Sequence, residues 1–390
     1  MNQHNSSCAE VSRAPRKLDW VNTLFLCASP VAAVVLTILH VYLEGFNPWL
    51  ILVFVIFYLL TGLSITGGYH RLFAHRAYDA NVVLRGLYLL FGAAAVQNSA
   101  LKWSVDHRLH HRFVDEEKDP YNINRGFWWA HMGWVFFRNE NWRMADPKWV
   151  RDLYQDKLIL WQHRYYLPLS IGLGFGLPTL IGYWMGSWIG GLAIAGFVRI
   201  VAVHHFTFFI NSFCHMYGDQ GYEDGNTARD SFWLALLTYG EGYHNFHHRF
   251  EADYRNGIRW YHWDPTKWLI KLLSWVKLTK NLKKVPDVQI LKARLEMDLK
   301  KLRARLESSS DPWQERMDLL RARIMEAQKQ WRDLQVQYRK LRHRRVVTNR
   351  AQRMAIKAQM RAARLEYKNT CAQWQTFVRY LRNTRGLASA

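Results

Sequence analysis

The sequence predicts an all-α integral membrane protein: four transmembrane helices, a cytosolic histidine-rich helical cap and a C-terminal helical or coiled-coil extension. Three observations predict it. Four apolar segments of spanning length come in two closely linked pairs. Nine of the 17 histidines fall into four tight groups beside the polar ends of those segments. The last 110 residues then exchange apolar character for a basic heptad pattern.

The segments run from about Trp20 to Leu43, Pro48 to Ile65, Tyr166 to Trp184 and Ser187 to Phe209. Each approaches the roughly 20 residues that a bilayer core requires. The links Glu44–Asn47 and Met185–Gly186 are so short that each pair must form a hairpin. Nineteen Trp and a 15% aromatic share fit a chain crossing membrane interfaces, where Trp and Tyr collect. The mean hydropathy of -0.24 merely averages an apolar front with a polar tail. Neither short link carries Lys or Arg, whereas Arg13, Arg16 and Lys17 precede the first span and the central and C-terminal regions hold many. Cytoplasmic loops carry the excess of Lys and Arg. Both termini and the central loop are therefore expected in the cytoplasm, with a bacterial inner membrane as the host bilayer. The stretch Val82–Val96 is short for a span and fits an interfacial segment or a buried helix of the cap.

The first 19 residues are polar, and the apolar segment after them is long enough to span, so no cleavable signal peptide is expected. The chain divides into an N-terminal segment (1–19), a membrane-bound domain (20–287) and the extension (288–390). Cys8, Cys27, Cys214 and Cys371 have neither disulfide nor zinc spacing and read as free thiols in a reducing compartment. Net charge is +22, and from Asn281 onward 27 Lys and Arg face 10 Asp and Glu.

The histidine groups carry the chemistry. His70 and His75 form HRLFAH, His107, His110 and His111 form HRLHH, His215 closes NSFCH, and His244, His247 and His248 form HNFHH. In H-x-x-H-H on a helix, positions i, i+3 and i+4 share one face, so three imidazoles are expected to converge on one point, twice. His70 and His75 are five apart, which on an α-helix points them in somewhat different directions. They follow Gly67-Gly68, where a helix can loosen. Nine imidazoles exceed what one ion holds, so two metals with four or five nitrogens each are expected. Imidazole suits Zn, Cu, Fe and Ni, and iron fits best if O2 is the oxidant. Ligation by imidazole alone adds no negative charge, which implies a strongly oxidising centre. His204 and His205, near the end of the fourth span, are expected to serve as hydrogen-bonding residues or to support the ligands.

Three of these stretches, His70-Arg-Leu-Phe-Ala-His75, Asp106-His-Arg-Leu-His-His111 and Glu241-Gly-Tyr-His-Asn-Phe-His-His248, resemble the membrane-bound Δ9 fatty-acyl desaturases, as do Asn211-Ser-Phe-Cys-His215 and Asp264-Pro-Thr-Lys-Trp268. The resemblance covers about Lys17 to Val285. It implies two irons held by all nine histidines, with Asn211 completing one shell through a water and Glu241 in support. It implies an acyl chain in a bent, dry tunnel past the irons. Asn98, Asp106 and Arg138 would contact the substrate, and Tyr58 and Gly62 would lie at the far end of the tunnel and set chain length at C16–C18. Val105 and Asn139 replace basic residues of the acyl-CoA-using animal members, leaving acyl-CoA and acyl-lipid substrates both open. Without an HPGG haem signature, electrons are expected from a separate donor, a ferredoxin, rubredoxin or cytochrome served by an NAD(P)H reductase. An acyl or alkane hydroxylase with a similar centre is the alternative, and a membrane scaffold with a vestigial site stands further off.

In the extension, Leu291, Leu295, Leu299, Leu302 and Leu306 recur at helical spacing. Ser308–Ser310 break the pattern, with Asp311 as N-cap and Pro312 at the first helical position. Met317, Leu320, Ile324, Ala327, Trp331, Leu334, Tyr338 and Leu341 form a heptad seam, and a weaker one runs from Met360 to Leu381. The basic exterior suits membrane lipid, an acidic electron carrier or a solvated oligomerisation coil. Nucleic acid is not expected as a partner.

Overall fold

The computed structural model describes residues 17–138, 147–304, 312–343 and 350–384. The chain separates into two compact units: residues up to Gly218 with Asn226–Lys283, and Asp219–Gly225 with Lys284–Ala390.

Among the described residues, four helices are long and apolar enough to cross a membrane: Trp20–Leu43, Trp49–Ala74, Tyr166–Trp184 and Trp188–His215. The first begins where the Asp19 carboxylate accepts the Asn22 amide at 3.2 Å, an N-cap. Val31, Val34, Ile38, Ile51, Val55, Leu167 and Trp184 are exposed, the pattern of helices whose solvent is lipid. Spans three and four approach closely at Gly182 and Gly191: a Cβ on Gly182 would come within 2.7 Å of the Gly191 Cα. Small residues permit such contact where no hydrophobic effect drives helices together. The two hairpin turns are tied by Glu44, which accepts the amides of Ile189 (3.2 Å) and Gly190 (3.1 Å) at the start of span four.

Span two does not remain an α-helix. From Ser64 to Ala74 it widens into a π-helix, whose bonds run i to i+5. The His75 amide donates to the His70 carbonyl at 3.0 Å. The helix Ala100–Arg112, capped by Ser99, and the short helix His244–Arg249 complete the frame of the cap. Val82–Ala94, capped by Asn81, is a partly buried helix whose Tyr88 and Leu89 enter the core with Tyr69, Leu101, Val105 and Ile270. Among the described residues, the strands are Asp79–Ala80 and Thr279–Lys280, paired antiparallel.

Arg71 is the polar hub of this unit. It is 1% exposed and bonds Glu241 at 2.8 Å, Asp264 at 3.1 Å and the Tyr254 carbonyl at 2.9 Å. Asp264 also caps the helix Pro265–Trp275 by accepting the Lys267 amide at 2.9 Å. One guanidinium thus joins span two to three later segments.

The second unit contains the helices Asp287–Arg303, Pro312–His343 and Arg350–Thr384. Leu295, Leu299, Leu302, Met317, Leu320 and Ile324 pack with Trp374, Phe377, Val378 and Leu381, so the seams close within one chain. Pro312 opens its helix; Leu306, the Ser308–Ser310 break and the Asp311 cap lie outside the described residues. The loop Asp219–Gly225 belongs to this unit through Lys301–Asp219 and Lys300–Asp224 pairs at 2.7 Å.

Replacing Arg71 by Met leaves two buried carboxylates without their cation. Removing one partner of a buried pair costs about 3–5 kcal/mol. Thermal unfolding in detergent should therefore occur well below the wild-type temperature, and an unchanged transition would remove Arg71 from its role as the hub.

Candidate metal centre

The nine histidines converge as two groups. His70, His75, His107, His111 and His247 form one, and His110, His215, His244 and His248 the other, with candidate ligand atoms in each group within 4.8 Å of one another. The wide turn of span two explains the first pair: five residues make one π-turn, so the His70 and His75 rings stand 4.8 Å apart. This corrects the divergence expected on an α-helix. The H-x-x-H-H triplets do not converge on single points either. His107 and His111, at i and i+4, serve the five-membered group, and His110 serves the other. The second triplet does the reverse: His244 and His248 join the four-membered group and His247 crosses to the five. Positions i and i+4 lie nearly in line, whereas i+3 is rotated to their flank, so one triplet can reach two sites.

The ring orientations point to cations. Nε2 atoms approach one another at 3.0 Å (His70–His247), 2.8 Å (His75–His107) and 3.0 Å (His111–His247). In the second group the separations are 3.0 Å (His215–His244), 3.1 Å (His244–His248) and 3.3 Å (His110–His248). In five rings the opposite nitrogen has a polar neighbour, whereas the Nδ1 atoms of His244 and His247 are buried without a partner. His70 Nδ1 meets Glu241 at 2.9 Å, His110 Nδ1 meets Asp119 at 2.9 Å, and His215 Nδ1 meets the Thr227 hydroxyl at 2.7 Å. His107 Nδ1 lies 3.2 Å from the Tyr121 hydroxyl, and His111 Nδ1 3.3 Å from Glu251. A carboxylate at Nδ1 keeps the proton there and leaves the Nε2 lone pair free. Lone pairs facing one another at such distances repel unless a cation lies between them. The donor set therefore fits two metal ions of a type that imidazole binds.

Protonation agrees. Burial, followed by repulsion from neighbouring imidazoles, pushes His75, His107, His244, His247 and His248 well below the ordinary histidine value. Burial takes His111 down to about 4. These rings are neutral at physiological pH, the form that ligates metal. Burial alone would raise the Glu241 carboxyl, but His70 and Arg71 outweigh it and hold it at about 2.

A cavity of about 350 Å³ ends on this centre, touching His70, His107 and His244. Its wall is mostly apolar, with Phe25, Ile65, Val96, Trp103, Phe175 and Phe208. Asn98, Asp106, Asn211 and Glu241 also line it. Asn98 adopts a left-handed backbone, φ 75°, and its amide donates to the Tyr166 hydroxyl at 2.9 Å. Burial pushes the Asp106 carboxyl up to about 7.

Other expected residues lie elsewhere. His204 walls the cavity and donates to the Ala95 carbonyl (3.0 Å), while His205 pairs with His131 (3.1 Å); neither supports a ligand imidazole. Tyr58 and Gly62 are not in the cavity wall. The space beside Gly62 is filled by the Tyr239 ring, which a Cβ would meet at 2.1 Å. Arg138 is exposed, bonded through its backbone to the Lys17 carbonyl, and Asn139 lies outside the described residues. Residue spacing missed Asp119, Tyr121, Thr227 and Glu251, since each reaches its histidine through the fold, and Arg71, which reaches His70 only through Glu241.

Two outcomes follow. Gly62→Leu should destabilise the chain by the roughly 1–3 kcal/mol of an overpacked site, and Tyr239→Ala in the same chain should restore most of the loss in a detergent melting assay. For the metal-free chain, an unfolded histidine titrates near pH 6.5, and His111 in the folded chain near 4. Between these values the unfolded state binds more protons, so stability falls as pH drops through that window. Melting at pH 5.5 should lie below melting at pH 7.5; the opposite order would contradict the buried neutral cluster.

Known proteins place this geometry. Residues 47–273 match the family model for fatty acid desaturase. The chain is 42% identical over 294 residues to acyl-CoA desaturase 1 of Saccharomyces cerevisiae, covering 73% of this chain and 56% of that protein. It is 42% identical over 288 residues to a probable acyl-CoA desaturase of Schizosaccharomyces pombe, 74% of this chain and 59% of that protein. It is 35% identical over 255 residues to the sn-1 stearoyl-lipid 9-desaturase of Synechocystis, 65% of this chain and 78% of that protein. The chain thus spans less than two thirds of the length of the two yeast relatives. Paired histidine groups, an apolar cavity ending on them and these matches together make the chain a member of the fatty acid desaturase family.

Proposed function

We propose that this protein is an O2-dependent fatty-acyl desaturase that introduces a cis double bond, at Δ9 of a C16–C18 chain, using two irons. The observation that carries the reading is the apolar cavity whose end is lined by imidazoles from both histidine groups. The relatives named for acyl-CoA and stearoyl-lipid desaturation support the substrate class.

In this reading nine histidines would hold the irons, five and four, and Asn211, which lines the cavity, would complete one shell through a water. Two irons with O2 and two electrons supply the power to remove hydrogen from an unactivated methylene. The overall change turns one acyl CH2–CH2 into CH=CH; the two hydrogen atoms it loses, together with two donor electrons and two protons, reduce O2 to two waters. The protein's own work is placement and exclusion. Phe25, Ile65, Phe175 and Phe208 hold an alkyl chain and keep water out, since apolar surface gains about 25 cal/mol per Å² on leaving water. Trp103, its ring centroid 5.0 Å from that of His107, closes the wall beside the reacting carbons. Asn98 and Asp106 offer polar contacts to the substrate. Glu241 and Asp119 keep His70 and His110 in the ligating tautomer.

The electrons come from a separate carrier protein, and both termini face the cytoplasm. The second unit, with its basic surface, suits anionic lipid or an acidic partner.

Gas chromatography with mass spectrometry of cellular fatty acids tests the reading. A host lacking Δ9 desaturation should gain a monounsaturated acid from the wild type and none from His247→Ala. A hydroxy acid, or no product from well-expressed wild type supplied with its native donor, would overturn it.

A further inference from the structure

A second pocket, of about 310 Å³, reaches the five-histidine group through different rings. His75 and His111 line it with Arg76, Arg108, Arg112, Trp149 and Glu251; neither His75 nor His111 borders the apolar cavity. Here Glu251 lies beside two candidate ligand rings. Its Oε2 lies 3.3 Å from His111 Nδ1 and 3.8 Å from His75 Nδ1, so one carboxylate addresses two candidate ligands. It is also the accessible one. Its side chain is 56% exposed, whereas Glu241 and Asp119, each 2% exposed, are clamped, Glu241 by Arg71 and Asn256 and Asp119 by the amides of Asp115 and Tyr121. Glu251 sits three residues beyond His248, on the loop that leaves the helix His244–Arg249.

We infer that Glu251 is a positioning residue for the five-histidine metal, holding His111 in the tautomer that turns its Nε2 lone pair inward, with His75 beside the same carboxylate. The inference rests on the two-metal reading of the centre. Its physical basis is that a carboxylate at Nδ1 fixes both the proton and the ring orientation, and losing such a partner lowers metal affinity by about 10–100-fold. The outer contact of the His111 ring is to this one group. His70 is held independently by Glu241 and His107 meets Tyr121. Loss of Glu251 should therefore loosen one metal and spare the other, whose rings lean on Asp119 and Thr227.

The test uses the full chain in detergent, as wild type, Glu251→Gln and Glu251→Ala. Metal per chain is measured by mass spectrometry, release to a chelator is timed, and the cobalt-substituted forms are compared by absorption. Wild type should hold two metals. Glu251→Ala should release one of them about 10–100-fold faster, with a change in part of the cobalt spectrum and unchanged melting of the metal-free chain. Glu251→Gln, which keeps an acceptor without the charge, should fall between, and as a near-isostere it decides the matter should the alanine variant fail to fold. Two metals released at wild-type rates with an unchanged cobalt spectrum would overturn the role of Glu251 alone. Fewer than two metals in the wild type would overturn the two-metal reading and this inference with it.

Discussion

Nine imidazoles turned inward at about 3 Å spacing are the constraint on which the rest of the structure depends. Each inward Nε2 is an acceptor facing other acceptors, for instance 2.8 Å between His75 and His107. Such a cluster is unfavourable in a buried site without a cation, because no donor satisfies it. The surroundings reinforce the strain rather than relieve it. Glu241, Asp119, Thr227 and Glu251 occupy the outward nitrogens of His70, His110, His215 and His111, so turning any of these four rings about would break its outer contact. In the proposed reading two metal ions, one in each histidine group, would resolve it at once.

The same network joins the site to the membrane helices. Glu241 accepts from Arg71 of the second span and also holds His70, while Asp264, the other anchor of Arg71, caps a helix of the cap. Disturbing the hub therefore moves a candidate ligand and the frame together. The apolar cavity ends on the same rings, so a chain that enters it meets the centre by construction.

The spans were legible because hydropathy and link length are local properties. Trp20–Leu43 and Tyr166–Trp184 agree with the expected bounds, and span two differs only by running on to Ala74. The identity of the nine histidines was legible from clustering alone. Their division was not, because it depends on how two helices face each other, and each triplet sends its i+3 ring across. The His70–His75 pairing was hidden by a π-turn, which an α-helical spacing argument cannot supply. Asp119, Thr227 and Glu251 were silent in sequence, since nothing local marks an outer-shell acceptor. Gly62 misled in the other direction: a missing side chain suggested open space, and Tyr239, 177 residues later in the chain, fills it.

The central claim is that the two histidine groups hold two metal ions in all-imidazole surroundings. X-ray absorption at the metal edge of the purified full chain, with metal per chain counted on the same sample, tests it most directly. The account predicts two irons per chain, a first shell of nitrogen and oxygen only, and strong outer-shell scattering from imidazole rings. A single metal per chain, a sulfur ligand, or a shell without imidazole scattering would contradict it.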